Sequence, residues 1–187
     1  MIQNQQISNC DSTSKRSSYR PFLTVDGIDA TMSNFTDVSF LNTVFGNQLG
    51  NMNNPDWEKA GKQLHLIQEE LAELVEGIQN KDMSEVRDAV ADILVVTYGM
   101  AHVLGIDADK DMAAVQESNL SKLCKTEAEI EETLAYYRTE IGLNVYSGGE
   151  LPKAFIKSSE DQTGKDGKFY PAHKFLKCIN WHEPKLV

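Results

Sequence analysis

Three cysteines in 187 residues, Cys10, Cys124 and Cys178, with no CxxC spacing among them, suggest neither a disulfide framework nor a zinc site. No run of about 18 apolar residues occurs, and the opening segment is polar and Ser-rich without a hydrophobic stretch. A soluble, unsecreted, cytoplasmic protein with no membrane partner is therefore expected. Cations are also short: 18 Lys and Arg stand against 28 Asp and Glu, a net charge of −10. Binding of long nucleic acids is not expected, because attraction to a phosphate backbone needs clustered Lys and Arg. Gly-rich phosphate loops, GxSxG elbows and HExxH helices are missing as well. A small anionic substrate would then need metal ions to bridge it to so acidic a chain.

What is present is a 41% hydrophobic composition, enough for one core in one domain plus tails. Residues 1 to about 33 are rich in Ser, Asn, Asp and Thr without sustained periodicity, and read as a flexible arm. A domain spanning 34–142 follows, expected to be an all-α bundle of four to five helices. Val38, Phe40, Leu41 and Phe45 mark a helix over about 36–45, and the loop GNQLGNMNNPD leads to a second helix over about 55–79. On that helix Leu64, Ile67, Leu71, Leu74, Val75 and Ile78 share one face, opposite Glu69, Glu70, Glu73 and Glu76. Ser84 is a candidate N-cap for a third helix ending at Gly105. That helix is apolar almost all round, which predicts burial on most sides in a bundle or at a subunit interface. Asp107 caps a fourth helix through Asn119, and Thr126 with Glu129 forms a capping box for a fifth that ends at Gly142. Residues 143–187 read as a loop-rich tail with a short hairpin around Asp166-Gly167.

The chemistry points to two acidic patches. Glu69, Glu70 and Glu73 project from one flank of the second helix, and like charges at that spacing repel unless a cation intervenes. Asp88 and Asp92 repeat the one-turn spacing in a helix otherwise apolar around them apart from Arg87, a costly setting for an unpaired acid. An antiparallel packing of the two helices through the short turn between them brings the patches face to face. Oxygen-only ligation selects Mg²⁺ or Mn²⁺ over zinc. Taken alone, each patch also has an ordinary reading, a solvated helix face for the glutamates and ion pairing for the aspartates. Phe40, Phe45, Trp57 and Tyr98 are candidates to stack on a base, although aromatics at helical spacing are usually core. Phe169, Tyr170 and Trp181 in the tail are candidates to close over a substrate.

Glu69-Glu70-x-x-Glu73, a gap of 14 residues, and Asp88-x-x-x-Asp92 within RDAVADILVVTYGMAHVLGID closely resemble the MazG-like, all-α NTP pyrophosphatase superfamily. The likeness spans about residues 36–122, and ESNLSKL at 117–123 resembles its phosphate-side motif. One departure stands out: the usual second half is Glu-x-x-Asp, and Ala89 occupies the Glu position. Asp88 is the substitute, since i and i+4 share a helix face as well as i and i+3 do. The resemblance implies a Mg²⁺-dependent hydrolase (Mn²⁺ an alternative) that converts a nucleoside triphosphate, ribo or deoxy, to the monophosphate and diphosphate. It implies two or more ions held by Glu70, Glu73, Asp88 and Asp92. Glu69 is then the general base, exchangeable with Glu70, while Asn119 and Lys122 contact phosphates. The apolar third helix implies self-association as a dimer or dimer of dimers. Two competing readings remain: hydrolysis of phosphoribosyl-ATP, and a non-catalytic helical adaptor whose acidic helix binds a basic partner.

Overall fold

A computed structural model of the protein describes residues 33–186; apart from Ser33, the expected N-terminal arm lies outside them. Five α-helices follow in order: α1 (Asn34–Val44), α2 (Trp57–Asn80), α3 (Met83–Leu104), α4 (Ala108–Leu120) and α5 (Glu127–Tyr136). Their starts are capped by side-chain oxygens: Ser33 for α1, Asp56 for α2, Asp107 for α4 and Thr126 for α5. Each accepts an N–H that the first turn would otherwise leave unpaired. For α3 the cap is Asp82 rather than Ser84, its Oδ1 accepting from the N–H groups of Ser84 at 2.8 Å and Glu85 at 3.3 Å. Lys81 ends α2 in the left-handed conformation, φ 56°. The α2–α3 connection is therefore only Lys81 and Asp82, which forces an antiparallel helix hairpin.

The side of α2 that packs on α3 is not the apolar face of the helical wheel. Ala60, Gln63, Ile67, Glu70, Leu74 and Gly77 are its buried or half-buried residues, spaced three and four apart. Leu64, Leu71, Val75 and Ile78 are 48–59% exposed. Small residues draw the contact line to this side. A Cβ on Gly77 would lie 3.1 Å from the Val86 nitrogen, and one on Gly99 would lie 2.6 Å from Gln63 Nε2. Helix α3 likewise departs from expectation. Ala89, Gly99, Ala101, His102 and Val103 are buried, but Val90, Leu94 and Val95 are 42–50% exposed. Within one chain α3 is thus covered on one side, because a two-helix hairpin with α1 across its end has no further layer to offer.

Fully buried His102 ties α1 and the following loop to α3. Its ring nitrogens lie 2.8 Å from Ser39 Oγ and 2.9 Å from the Asn47 carbonyl. Gly50 passes so close to the end of α3 that a Cβ there would sit 2.1 Å from the Val103 carbonyl oxygen.

Beyond residue 136 the chain leaves the all-α expectation. One π-helical turn (Tyr137–Ile141) ends at Gly142, φ 77°, the left-handed position that glycine takes at least cost. Five short strands follow: β1 (Val145–Gly148), β2 (Phe155–Ser158), β3 (Gln162–Thr163), β4 (Phe169–Tyr170) and β5 (Phe175–Leu176). Strands β1, β2 and β5 form an antiparallel sheet, with Val145 opposite Ser158 and Ile156 opposite Leu176. Strands β3 and β4 form the hairpin expected at Asp166-Gly167. The tail, loop-rich as expected, also carries a closed core: Cys124, Tyr137, Leu143, Val145, Ala154, Ile156, Leu176 and Cys178. Burying Leu143 and Ile156 completely is worth about 1.5–3 kcal/mol each.

Candidate active site

The register of the α2–α3 hairpin places the carboxylates. Gly77 packs on Val86 and Gly99 on Gln63, so Glu70, seven residues before Gly77, stands across from Asp92, six after Val86. Gln63 Nε2 donates to the Val96 carbonyl at 2.9 Å, one turn further along the seam. Both Glu70 and Asp92 are half-buried, whereas Glu69, Glu73 and Asp88 are exposed. The expectation that Asp88 is buried therefore fails: α3 turns that flank to solvent, and Asp88 needs no partner to exist there.

Desolvation pushes the Glu70 carboxyl above the usual glutamate range, and repulsion from Glu73, Asp92, Glu69 and Asp88 pushes it the same way. Glu70 is thus the acid on which the charges of both sequence patches bear. Among the described residues, no three His, Cys, Asp or Glu side chains are drawn together closely enough to form a metal-binding group. The donor set nonetheless fits a hard divalent cation: oxygen-only, strongly negative, and open to solvent on one side. At the N-terminal end of α3, Ser84, Glu85, Arg87 and Asp88 line a cavity of about 440 Å³. Arg87, beside Asp88 in that lining, is a phosphate-binding candidate the sequence reading did not single out.

Other candidate residues fall elsewhere. Asn119 and Lys122 meet each other, Lys122 Nζ donating to Asn119 Oδ1 at 2.7 Å. The axis bends by 112° between α3 and α4, and α4 does not pack extensively on the α2–α3 hairpin. Lys62 is paired with Glu58 at 2.8 Å. His65 Nε2 lies 3.4 Å from Glu69, and His102 is a hydrogen-bonded core residue. Of the aromatics, Tyr98 packs on Phe35 at 6.0 Å. Phe45 and Trp57 are instead 73% and 72% exposed, contrary to the core reading.

Residues 38–119 match the family model for phosphoribosyl-ATP pyrophosphohydrolase. The match runs from within α1 to the end of α4 and includes all five carboxylates and Asn119. The chain is also 43% identical over 68 residues to an uncharacterized protein, L479, of Acanthamoeba polyphaga mimivirus. That alignment covers 36% of this chain and 26% of the relative, so the chain spans about a quarter of the viral protein. Matched segment and helix order agree with the sequence resemblance: residues 38–119, somewhat under half of the chain, are similar to the phosphoribosyl-ATP pyrophosphohydrolase family, which belongs to the MazG-like, all-α NTP pyrophosphatase superfamily.

Proposed function

We propose that the chain is a Mg²⁺-dependent pyrophosphohydrolase that cleaves a ribo- or deoxynucleoside triphosphate to the monophosphate and diphosphate. One observation carries the reading: Glu70 stands half-buried across the α2–α3 seam from Asp92, where desolvation and repulsion from four other acids, Glu73, Asp92, Glu69 and Asp88, favour its protonation, an arrangement unfavourable until a cation offsets it. Glu70, Glu73, Asp92 and Asp88 would hold two or more Mg²⁺ ions, with Mn²⁺ as a substitute. Bound there, the ions supply charge neutralisation on the phosphates and a lowered pKa for attacking water.

The chain's own residues do the rest. Glu69, exposed and within an ion-pair distance of His65, orients the water and accepts its proton. Glu70 can exchange roles with it. Arg87, beside Asp88 in the adjoining cavity, offers a planar donor fork suited to phosphate oxygens. Asn119 and Lys122 act on the phosphates from a second copy of the chain. Self-association as a dimer or dimer of dimers is supported by the exposed Leu64, Leu71, Val75 and Ile78 of α2 and Val90, Leu94 and Val95 of α3, large apolar side chains that a second copy would cover.

A second reading, phosphoribosyl-ATP as substrate, is favoured by the description of the matching family. The same carboxylates would serve it. Diphosphate release from phosphoribosyl-ATP and from a panel of ribo- and deoxynucleoside triphosphates, with Mg²⁺ or with chelator, separates the two. Metal-dependent release from one or more triphosphates is expected. Release from phosphoribosyl-ATP alone moves the second reading to the front, and release from none of these substrates refutes both.

A further inference from the structure

The core of the C-terminal segment holds two sulfur atoms that the catalytic reading does not use. Cys124 follows α4 and is bridged to Ala154, N–H to carbonyl at 2.7 Å one way and 3.1 Å the other. Cys178 follows β5, and its N–H donates to the Lys122 carbonyl at 3.2 Å. These two backbone anchors hold the Sγ atoms 2.8 Å apart, across 54 residues of sequence, at 0% and 3% exposure. Thr133 Oγ1 lies 3.7 Å from Cys124 Sγ and 3.5 Å from Cys178 Sγ.

The 2.8 Å separation distinguishes among the roles open to such a pair. Atoms that merely pack sit at about 3.5–4.0 Å. Two thiolates sharing a tetrahedral zinc, each about 2.3 Å from it, stand nearly 3.8 Å apart. Among the described residues no third metal-ligating side chain completes a site. The two stand as free thiols, Cys124 Sγ donating to Cys178 Sγ, and a bond of about 2.05 Å is the covalent step open to sulfurs already this close. We propose that Cys124 and Cys178 form an intramolecular disulfide that fastens the C-terminal tail to the segment linking α4 and α5.

The oxidant is a low-molecular-weight disulfide. One cysteine thiolate attacks a sulfur of it, forming a mixed disulfide and releasing one thiol. The second cysteine then attacks the mixed disulfide, the protein S–S bond forms, and a second thiol leaves. Two protein thiols are oxidised, one small disulfide is reduced to two thiols, and the two cysteine protons end on those leaving groups. Burial and the adjacent Cys178 push the Cys124 thiol up to about 12, so the docked tail holds almost no thiolate and excludes reagents. The bond is accordingly made while the tail is undocked and is sealed by docking. Its consequence is local to Lys122, which lies two residues before Cys124 and accepts from Cys178 N–H. The proposal does not depend on the pyrophosphohydrolase reading.

The test uses the full chain with Cys10→Ser, so that these two thiols alone remain. Refolding in a mixture of reduced and oxidised glutathione is followed by denaturation, alkylation and peptide mapping, with refolding in strong reductant as control. The expected result is a peptide linking residues 124 and 178, no alkylated thiol, and a melting temperature roughly 5–15 °C above the reduced control. In the reduced, folded control both thiols should alkylate at least 100-fold more slowly than after denaturation. Two free thiols after oxidative refolding, or glutathione adducts that never close to the ring, would overturn the proposal. Neither reading requires a variant at either cysteine to fold.

Discussion

Replacing Glu70 by Gln keeps the side chain's shape and removes its charge from the middle of the acidic seam. In the metal-free protein at pH 7 that substitution should stabilise. Glu70 is repelled by Glu73, Asp92, Glu69 and Asp88, and each like-charge neighbour on an accessible helix flank costs a few tenths of a kcal/mol, about 1 kcal/mol in all. For a chain of this size that corresponds to a rise in melting temperature of about 2–4 °C. The sign with pH follows from linkage. A glutamate whose folded pKa is raised binds its proton more tightly in the folded state, so stability falls as pH climbs from the ordinary glutamate range through the raised value. Below the ordinary range Glu70 is neutral in both states, and the gain from Gln should vanish. Mg²⁺ inverts the ranking: at a concentration 100-fold above its dissociation constant it stabilises the wild type by about 2.7 kcal/mol, and Glu70→Gln should lose most of that. Thermal melts at fixed protein concentration, across pH and with or without Mg²⁺, measure every part. A Glu70→Gln protein that melts lower than wild type without metal, or gains as much from Mg²⁺, refutes the reasoning.

Gly50→Ala should cost at least about 2 kcal/mol, since its Cβ would meet backbone at 2.1 Å and neither segment can swing away; chemical denaturation reads this directly. His102→Ala should cost about 2–4 kcal/mol by leaving a cavity and unpairing Ser39 and the Asn47 carbonyl, again measured by denaturation. If the exposed faces of α2 and α3 pair between copies, Leu94→Glu should convert the assembly to monomers in sedimentation and cut diphosphate release more than 10-fold, because a charge buried at such an interface goes unpaired. An unchanged sedimentation coefficient would remove that support for Asn119 and Lys122 acting in trans.

The features legible in the sequence were those set by local chemistry. Caps at Asp107 and Thr126, the left-handed end at Gly142 and the Asp166-Gly167 turn depend on residues within a few positions of each other. That the acids of each helix share a flank was legible for the same reason: i, i+3 and i, i+4 spacings fix a flank whatever packs on it. The side of α2 that meets α3 was not, because small residues at Gly77 and Gly99 govern approach, and a wheel weighted by hydrophobicity undervalues them. The sheet β1-β2-β5 was missed because its strands are two to four residues long and its pairing joins positions far apart in the chain. Cys124 and Cys178 were invisible as a pair since only that long-range folding brings them together. Asp88 was misread as buried because an apolar helix suggests a surrounding protein, and here part of that surface is open.

The most direct test of the central claim is the initial rate and product of hydrolysis of the best substrate in the panel, for wild type, Glu73→Gln and Asp92→Asn with saturating Mg²⁺. The account predicts diphosphate rather than single phosphate as the product. It also predicts a loss of 100-fold or more in each variant, with circular dichroism and oligomeric state unchanged. Activity within a few-fold of wild type in either variant would contradict the account, because Glu73 and Asp92 come from opposite sides of the hairpin and the chemistry requires both.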